Sequence, residues 1–201
     1  DHRDLHSFPT RRSSDLTKGI KPFVAIYSTF MQRALDQVIH DVALPNLPVV
    51  FCLDRAGLVG EDGATHHGAF DISFLSFIPN LIVLAPSCQE ELVAMLTWAS
   101  RYDGGPVAIR YPRGTSLQRG ITLETFAPGN AEILQPYPKG QSPLIAFVAA
   151  GDALGIAIET ANILKEQDVE PVVVNLRSLK PLDEKLITAL EIGRASCRER
   201  V

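Results

Sequence analysis

Cysteine, methionine and tryptophan are scarce in this chain of 201 residues, which has three, two and one of them, respectively. Cys52, Cys88 and Cys197 are odd in number and lie too far apart for a metal-binding motif. The apolar runs reach only about eight residues, whereas a helix that crosses a bilayer needs about 20. The first residues lack the charged-then-apolar pattern of a signal peptide. We therefore expect a reduced, cytoplasmic protein that contributes no metal ligands.

Strong charge of one sign is also missing, because the net charge is only −4. This balance gives no reason to expect nucleic acid or an anionic membrane as a partner. Hydrophobic residues make up 46% of the chain and charged residues 21%, which is typical of a soluble globular protein. The length allows one or two domains.

Both ends of the chain differ in composition from the rest. Residues 1–17 are dense in Arg, Ser, Asp and His without a helical or strand period, and residues 191–201 turn abruptly to Arg and Ser. Natural disorder is the ordinary interpretation of such tails. Because both stretches resemble translated sequencing-adapter sequence, we predict that they are non-native and give them no functional role.

Strands and helices alternate in the predicted order of elements. Short β-branched or apolar runs predict strands at 22–28, 48–53, 81–86 and 106–114. Helical spacing after Thr29, and a capping box formed by Ser87 and Glu90, predict helices between them. The pattern predicts an α/β domain at 18–117 with a parallel sheet covered on both faces. Proline and glycine then indicate a linker at 118–142, and a second α/β unit follows at 143–190.

The stretch VFCLDRAGLVGEDGATHHGAFD, residues 50–71, is the strongest candidate for a site. An apolar strand ends in Asp54-Arg55, and a glycine-rich loop with Asp62 and His66 follows. Such loops present chemistry at the carboxyl ends of strands, and a carboxylate with a histidine can handle protons near neutral pH. A solvated surface loop is the alternative.

Two further motifs lie at the carboxyl ends of predicted strands. In YSTFMQR, residues 27–33, Tyr27 and Arg33 suit a phosphate at a helix start, and Phe30 suits a planar ring. The alternative is an ordinary helix start with Phe30 in the core. In RYPRG, residues 110–114, Arg113 would share one sheet edge with Tyr27, Arg33 and Arg55 if all strands are parallel. The alternative is that these arginines lie at strand ends without a shared function.

Together, YSTFMQRALDQVIHDVAL, LDRAGLVGEDGATHHGAFD, NLIVLAPSCQEEL, DGGPVAIRYPRG and LKPLDEKLI resemble the 1-deoxy-D-xylulose-5-phosphate synthases. The resemblance covers residues 18–190 and implies a thiamine-diphosphate pyrimidine-binding domain followed by a truncated transketolase C-terminal-like domain. It also implies a homodimeric transferase that uses thiamine diphosphate and Mg²⁺. This family joins pyruvate and D-glyceraldehyde 3-phosphate, releases carbon dioxide, and supplies isoprenoid (terpenoid), thiamine and pyridoxal biosynthesis.

The same resemblance implies roles for individual residues. Phe30 is implied as the ring that stacks on the cofactor's aminopyrimidine. Substrate and phosphate binding is implied for Tyr27, Arg33, Arg55 and Arg113. Asp62 and His66 are implied as the catalytic pair near the substrate hydroxyl and carbonyl groups, and His67 receives no role.

Parts of the family pattern have no counterpart in this sequence. The Gly-Asp-Gly motif for diphosphate and Mg²⁺ belongs to an N-terminal domain, and the glutamate that activates the aminopyrimidine precedes the tyrosine in the family. We therefore expect the 201-residue chain to be inactive alone. The alternatives are another thiamine-dependent ketol transferase, such as half of a split transketolase, and a non-catalytic interaction module.

Overall fold

The computed structural model describes residues 19–123, 125–136 and 145–192. The predicted tail 1–17 and most of the predicted tail 191–201 lie outside these ranges. The described residues form one five-stranded and one three-stranded sheet, flanked by helices. Among them, no helix combines the length and the apolar character that crossing a membrane requires.

The first sheet contains four parallel strands in the spatial order β1, β2, β4, β3. Their bounds are β1 Phe23–Tyr27, β2 Val50–Asp54, β3 Ile82–Leu84 and β4 Val107–Arg110. In register, Tyr27 lies beside Asp54, and Leu53 lies beside Arg110. The predicted parallel α/β architecture of this region is therefore confirmed, and the strand ends that carry the candidate motifs meet at one edge.

Helices cover both faces of this sheet. After β1 the chain runs through α1 Ser28–Met31, a 3₁₀ turn Gln32–Ala34, α2 Leu35–Gln37 and a π-helical turn Val38–Ala43, followed later by α3 Asp71–Phe77 and α4 Gln89–Arg101. Successive β2 side chains alternate between two cores, because side chains along a strand point to opposite faces. Phe51 and Leu53 pack with Met31 and Leu75, whereas the neighbouring core packs around Met95.

The second sheet is smaller and mixed. It consists of β5 Glu132–Gln135, β6 Ala146–Ala149 and β7 Val172–Asn175, packed against α5 Ala153–Lys165. Strand β6 runs parallel to β7, and β5 runs antiparallel to it on the other side. The stretch 118–142 predicted as a linker therefore contains a strand. Its four residues, EILQ, contain only two consecutive apolar residues, and pairing with β7 stabilises them as a strand.

The chain then returns to the first sheet. Strand β8, Ser178–Lys180, pairs antiparallel with the edge strand β3, and Ala85 N donates to Arg177 O at 2.8 Å. The Lys180 ammonium also donates to the carbonyl oxygens of Ser76 and Ile78. Helix α6, Glu184–Ile192, follows. The sheet is thus mixed rather than purely parallel, and the second unit supplies one of its strands.

Glu91, and not Glu90, binds Ser87 at the start of α4. Both the backbone N and the Oγ of Ser87 donate to Glu91 Oε2, at 2.8 and 2.7 Å. The capping box predicted between Ser87 and Glu90 is therefore wrong. The carboxylate of Glu90 instead accepts from the backbone N–H groups of Arg119 and Gly120.

The buried carboxylate of Glu91 also connects the two sheets. Its Oε1 accepts from Asn175 Nδ2 at 2.8 Å and from Arg177 Nε at 2.7 Å. Arg119 lies 3.5 Å from the same oxygen, and Glu132 bridges Arg119 and Arg177 at 2.7 Å each. We call these five residues the junction network. Two carboxylates and two guanidinium groups neutralise each other there, as charges removed from water require.

Candidate active site

The candidate site lies at the carboxyl edge of β1, β2 and β4. Tyr27, Asp54 and Arg110 are the last residues of these three strands. Parallel strands bring their carboxyl ends, and the loops that follow them, to the same edge of a sheet. The structure gathers the seven predicted site residues there into connected contacts; they are Tyr27, Phe30, Arg33, Arg55, Asp62, His66 and Arg113.

Three rings form the aromatic part of the site. Tyr27 and Phe30 stack with centroids 5.0 Å apart and an interplanar angle of 12°. His66 meets Phe30 edge-on at 5.6 Å. Phe30 remains 37% exposed, so the alternative that it lies in the core is wrong. An aromatic ring that stays partly exposed at a strand end offers surface for another planar ring.

Arg55 links the aromatic part to the charged part. Its backbone φ angle is 55°, in the left-handed region, directly after β2. The guanidinium carbon lies 3.9 Å from the Tyr27 ring centroid, a cation–π contact. Its Nε donates to Asp62 Oδ2 at 2.8 Å, and its Nη1 donates to Asp54 Oδ2 at 2.9 Å. Arg55 is thus fixed by three neighbours and holds Asp62 in place.

Asp62 lies between two arginines. The hydrogen bond from Arg55 is the main cause that lowers its pKa below the ordinary 3.8, and the positive charge of Arg113 acts in the same direction. Arg113 Nη1 lies 3.3 Å from Asp62 Oδ1. Asp62 is therefore an ionised hydrogen-bond acceptor at neutral pH. A substrate hydroxyl could donate to it.

The loop that carries Asp62 and His66 is closed by glycine. Gly57 and Gly68 exchange two backbone hydrogen bonds, at 3.0 and 2.7 Å. A Cβ on Gly68 would lie only 2.6 Å from Arg55 O and from Ser28 Oγ, so no larger residue fits without movement. The loop is consequently pressed against the start of α1, which brings His66 to the aromatic rings.

His67 has a structural contact that the sequence did not indicate. Its Nδ1 accepts from the backbone N–H of Val59 at 3.0 Å, across the same loop. His66 Nδ1 instead lies 3.0 Å from Thr65 Oγ1 and faces the rings. The two adjacent histidines therefore differ in role, since His67 stabilises the loop and His66 borders the site.

Two cations of the site face solvent. Arg33 is exposed, lies 5.6 Å from the Phe30 ring centroid, and makes no ion pair with another described residue. The Arg113 side chain is 43% exposed and has only long contacts, to Asp62 at 3.3 Å and to Val59 O at 3.4 Å. Both guanidinium groups can therefore turn toward an anion.

Sequence reasoning missed a buried ion pair beside the site. Arg110 Nε donates to Asp71 Oδ2 at 2.8 Å, and both side chains are buried. The motifs RYPRG and GAFD contained both residues, but nothing local distinguishes a buried charge from an exposed one. Across the described ranges, no group of three His, Cys, Asp or Glu side chains could hold a metal ion.

Two cavities lie outside this cluster of residues. One of about 770 Å³ lies between α4 and residues 121–123 and 125–126, and is lined by Trp98, Tyr102 and Phe126. The other, about 500 Å³, lies beyond the ends of β3 and β4 near Tyr111 and Asp152. Burial raises the pKa of Tyr111 to about 12, so its phenol stays protonated. Neither cavity is lined by a predicted site residue.

Comparison with protein families gives two matches. Residues 15–117, about half of the chain, match the transketolase pyrimidine-binding domain. Residues 137–198 match the transketolase C-terminal domain. Both matches extend into the stretches predicted as non-native tails, whose origin stays a prediction.

Curated relatives carry the name predicted from the motifs. The chain is 50% identical over 183 residues to 1-deoxy-D-xylulose-5-phosphate synthase of Heliobacterium modesticaldum, covering 88% of this chain and 27% of that protein. It is 51% identical over 177 residues to the synthase of Chlorobium luteolum, covering 86% and 27%. These values confirm the predicted resemblance. The chain spans only about a quarter of the length of these relatives.

Solved structures agree on the fold. A split-gene transketolase described as an inactive β4 tetramer superposes with TM-score 0.77 at 26% identity, covering 88% of this chain and 55% of that one. A Pichia stipitis transketolase gives TM-score 0.72 at 21% identity, covering 85% and 25%, and shows the fold alone. From its family match, the chain belongs to the transketolase family and carries the pyrimidine-binding domain of that family.

Proposed function

We propose that this chain forms the part of a 1-deoxy-D-xylulose-5-phosphate synthase active site that binds the cofactor's aminopyrimidine and the substrate. The reaction joins pyruvate to D-glyceraldehyde 3-phosphate with loss of carbon dioxide. The observation that supports it best is the convergence of all seven predicted residues at one sheet edge. The product would feed isoprenoid, thiamine and pyridoxal biosynthesis.

The exposed ring of Phe30 fits thiamine diphosphate. A ring that is 37% exposed, backed on one side by Tyr27, provides a rigid platform for the aminopyrimidine. When bound, the cofactor would supply the nucleophilic carbon for decarboxylation, which protein side chains lack. From the family resemblance, we place the ligands of Mg²⁺ and diphosphate in the N-terminal domain of the full-length enzyme.

The charged residues suit the phosphorylated acceptor. We assign its phosphate to the solvent-facing Arg33 and Arg113, because guanidinium forks bind phosphate through paired hydrogen bonds. Tyr27 and Arg55 complete the substrate edge, with Arg55 holding Asp62. Ionised Asp62 would accept a hydrogen bond from a substrate hydroxyl, and His66 would contact the carbonyl oxygen.

The full-length enzyme is proposed to be a cytoplasmic homodimer. Cys52 and Cys88 are free and buried, as suits a reducing compartment. We expect these 201 residues to have no activity alone, since they span only about a quarter of the length of the curated relatives.

A full-length chimera tests the proposal. In the Heliobacterium modesticaldum synthase, the segment that matches this chain over 183 residues is replaced by the corresponding residues of this chain. Carbon dioxide release from pyruvate is measured with and without D-glyceraldehyde 3-phosphate. We expect acceptor-dependent release within about tenfold of the parent enzyme, because the site residues are retained. His66→Ala should abolish it, whereas His40→Ala, an exposed histidine paired with Asp36, should not.

The same assay separates the alternatives. The likeness to a split-gene transketolase favours a second candidate, a ketol transferase that takes a ketose phosphate donor. Turnover with such a donor and none with pyruvate would favour that reaction. A folded chimera inactive with both donors would contradict the enzyme proposals and leave the interaction module.

A further inference from the structure

Asp71 and Arg110 form a charged pair beside the site that the proposed function does not use. The side chains of Asp71 and Arg110 are 1% and 9% exposed, respectively. Asp71 Oδ2 accepts from Arg110 Nε at 2.8 Å, and its Oδ1 accepts from the backbone N–H of Ile72 at 2.8 Å. Both carboxylate oxygens are thus occupied, which satisfies the charge inside the protein.

The pair joins the two segments that build the charged half of the site. Asp71 directly follows the glycine-rich loop and begins α3, whereas Arg110 ends β4 three residues before Arg113. Asp62, on that loop, in turn contacts Arg113. A shift of the loop's end relative to β4 would therefore change the Asp62–Arg113 distance directly.

The other contacts between this loop and the segment of β4 and the residues after it are weaker or lie at the loop's beginning. Ala56 N donates to Tyr111 O at 3.0 Å near its start. Farther along, the partly exposed Arg113 reaches Val59 O at 3.4 Å and Asp62 at 3.3 Å, and both contacts are long. The Asp71–Arg110 pair is the fully buried, short contact at the loop's other end. Buried ion pairs with good geometry fix one arrangement, because breaking them leaves an unpaired charge.

We infer that Asp71 and Arg110 are positioning residues that hold the glycine-rich loop, and with it Asp62 and His66, in register with Arg113. This inference rests on the proposed function for its kinetic consequence. Its structural consequence is independent of any reaction.

Hydrogen–deuterium exchange of this chain tests the structural consequence. In Asp71→Asn, backbone amides of residues 56–70 should exchange at least about tenfold faster, because the loop loses its anchored end. The matched control is Glu91→Gln, which alters an equally buried carboxylate in the junction network. It should leave loop exchange within about twofold of the unmodified chain. Arg110→Lys retains the charge but changes the donor geometry. If Asp71→Asn does not fold, Arg110→Lys replaces it in the exchange experiment, with the same expected result.

Kinetics of the full-length chimera test the functional consequence. Asp71→Asn should raise KM for D-glyceraldehyde 3-phosphate about tenfold, because phosphate and hydroxyl contacts no longer align. Glu91→Gln should lower thermal stability without raising that KM. Equal KM changes in both variants, or unchanged loop exchange in Asp71→Asn and Arg110→Lys, would overturn the inference. If the unmodified chimera is inactive, the proposed function fails, and loop exchange still decides the role of the pair.

Discussion

Neutralising Glu91 should weaken the contact between the two sheets. Its side chain is fully buried and accepts from Ser87, Asn175 and Arg177. In Glu91→Gln one oxygen remains, but the new amide nitrogen cannot accept the two hydrogen bonds from Ser87. Arg119 and Arg177 would then share Glu132 alone, which leaves one positive charge uncompensated.

The magnitude follows from the cost of an unpaired buried charge. Breaking a buried ion pair costs about 3–5 kcal/mol, and the retained oxygen places Glu91→Gln at about 3 kcal/mol. Whole domains are stable by about 5–15 kcal/mol, so the change removes a large share. For a chain of this size, about 2–4 °C per kcal/mol predicts a fall in Tm of about 6–12 °C.

Thermal unfolding followed by circular dichroism at pH 7 measures this change. The matched control is Glu90→Gln, because Glu90 is only partly buried and accepts from backbone N–H groups of a connecting segment. We expect the control to cost about 1 kcal/mol or less. A double-mutant cycle with Arg177→Gln should show coupling of at least about 1 kcal/mol. Equal Tm values for the two glutamate variants would refute the role assigned to the junction network.

Three further predictions concern the loop, acid stability and the phosphate. In a urea titration, Gly68→Ala should lower the free energy of unfolding by about 2 kcal/mol, since its Cβ would lie 2.6 Å from Arg55 O. The control Gly63→Ala, at φ +83° with open space around the Cβ, should lower it by about 1 kcal/mol. Equal losses would contradict this prediction. Hydrogen bonding from Arg119 lowers the pKa of Glu132 below 4.5, so stability should fall as pH drops below about 4.5, and Glu132→Gln should flatten that fall. Arg33→Ala in the chimera should raise KM for D-glyceraldehyde 3-phosphate at least about tenfold and leave KM for pyruvate unchanged.

The acid prediction follows from the direction of the pKa shift. Because the folded state holds Glu132 ionised to lower pH than the unfolded state does, the unfolded chain binds more protons in the window below about pH 4.5. Stability contributed by Glu132 is therefore fully present above that pH and is lost as pH falls through the lowered pKa. Urea midpoints between pH 7 and pH 3 measure it.

The parallel strands and the position of the site could be predicted because their signals are local. Apolar runs that end in Tyr27, Asp54 and Arg110 define strands by composition alone, and parallel pairing then forces their ends together. The contacts of Arg55 with Tyr27 and Asp62 follow from that placement.

Long-range pairing decided what the sequence left open. Strands β5 and β8, EILQ and SLK, contain at most two consecutive apolar residues, and pairing with β7 and β3 stabilises them as strands. The choice of Glu91 over Glu90 depends on Asn175 and Arg177, more than 80 residues away in the chain. Pairing of Asp71 with Arg110 spans 39 residues.

The sequence by itself determined the alternation of strands and helices, the family motifs and the residues of the candidate site. The tertiary structure alone decided which charges are buried, which histidine braces the loop, and how the second unit joins the first sheet. The physical reason is that hydrophobic period and turn chemistry act between near neighbours. Burial and ion pairing depend on residues that only folding brings together.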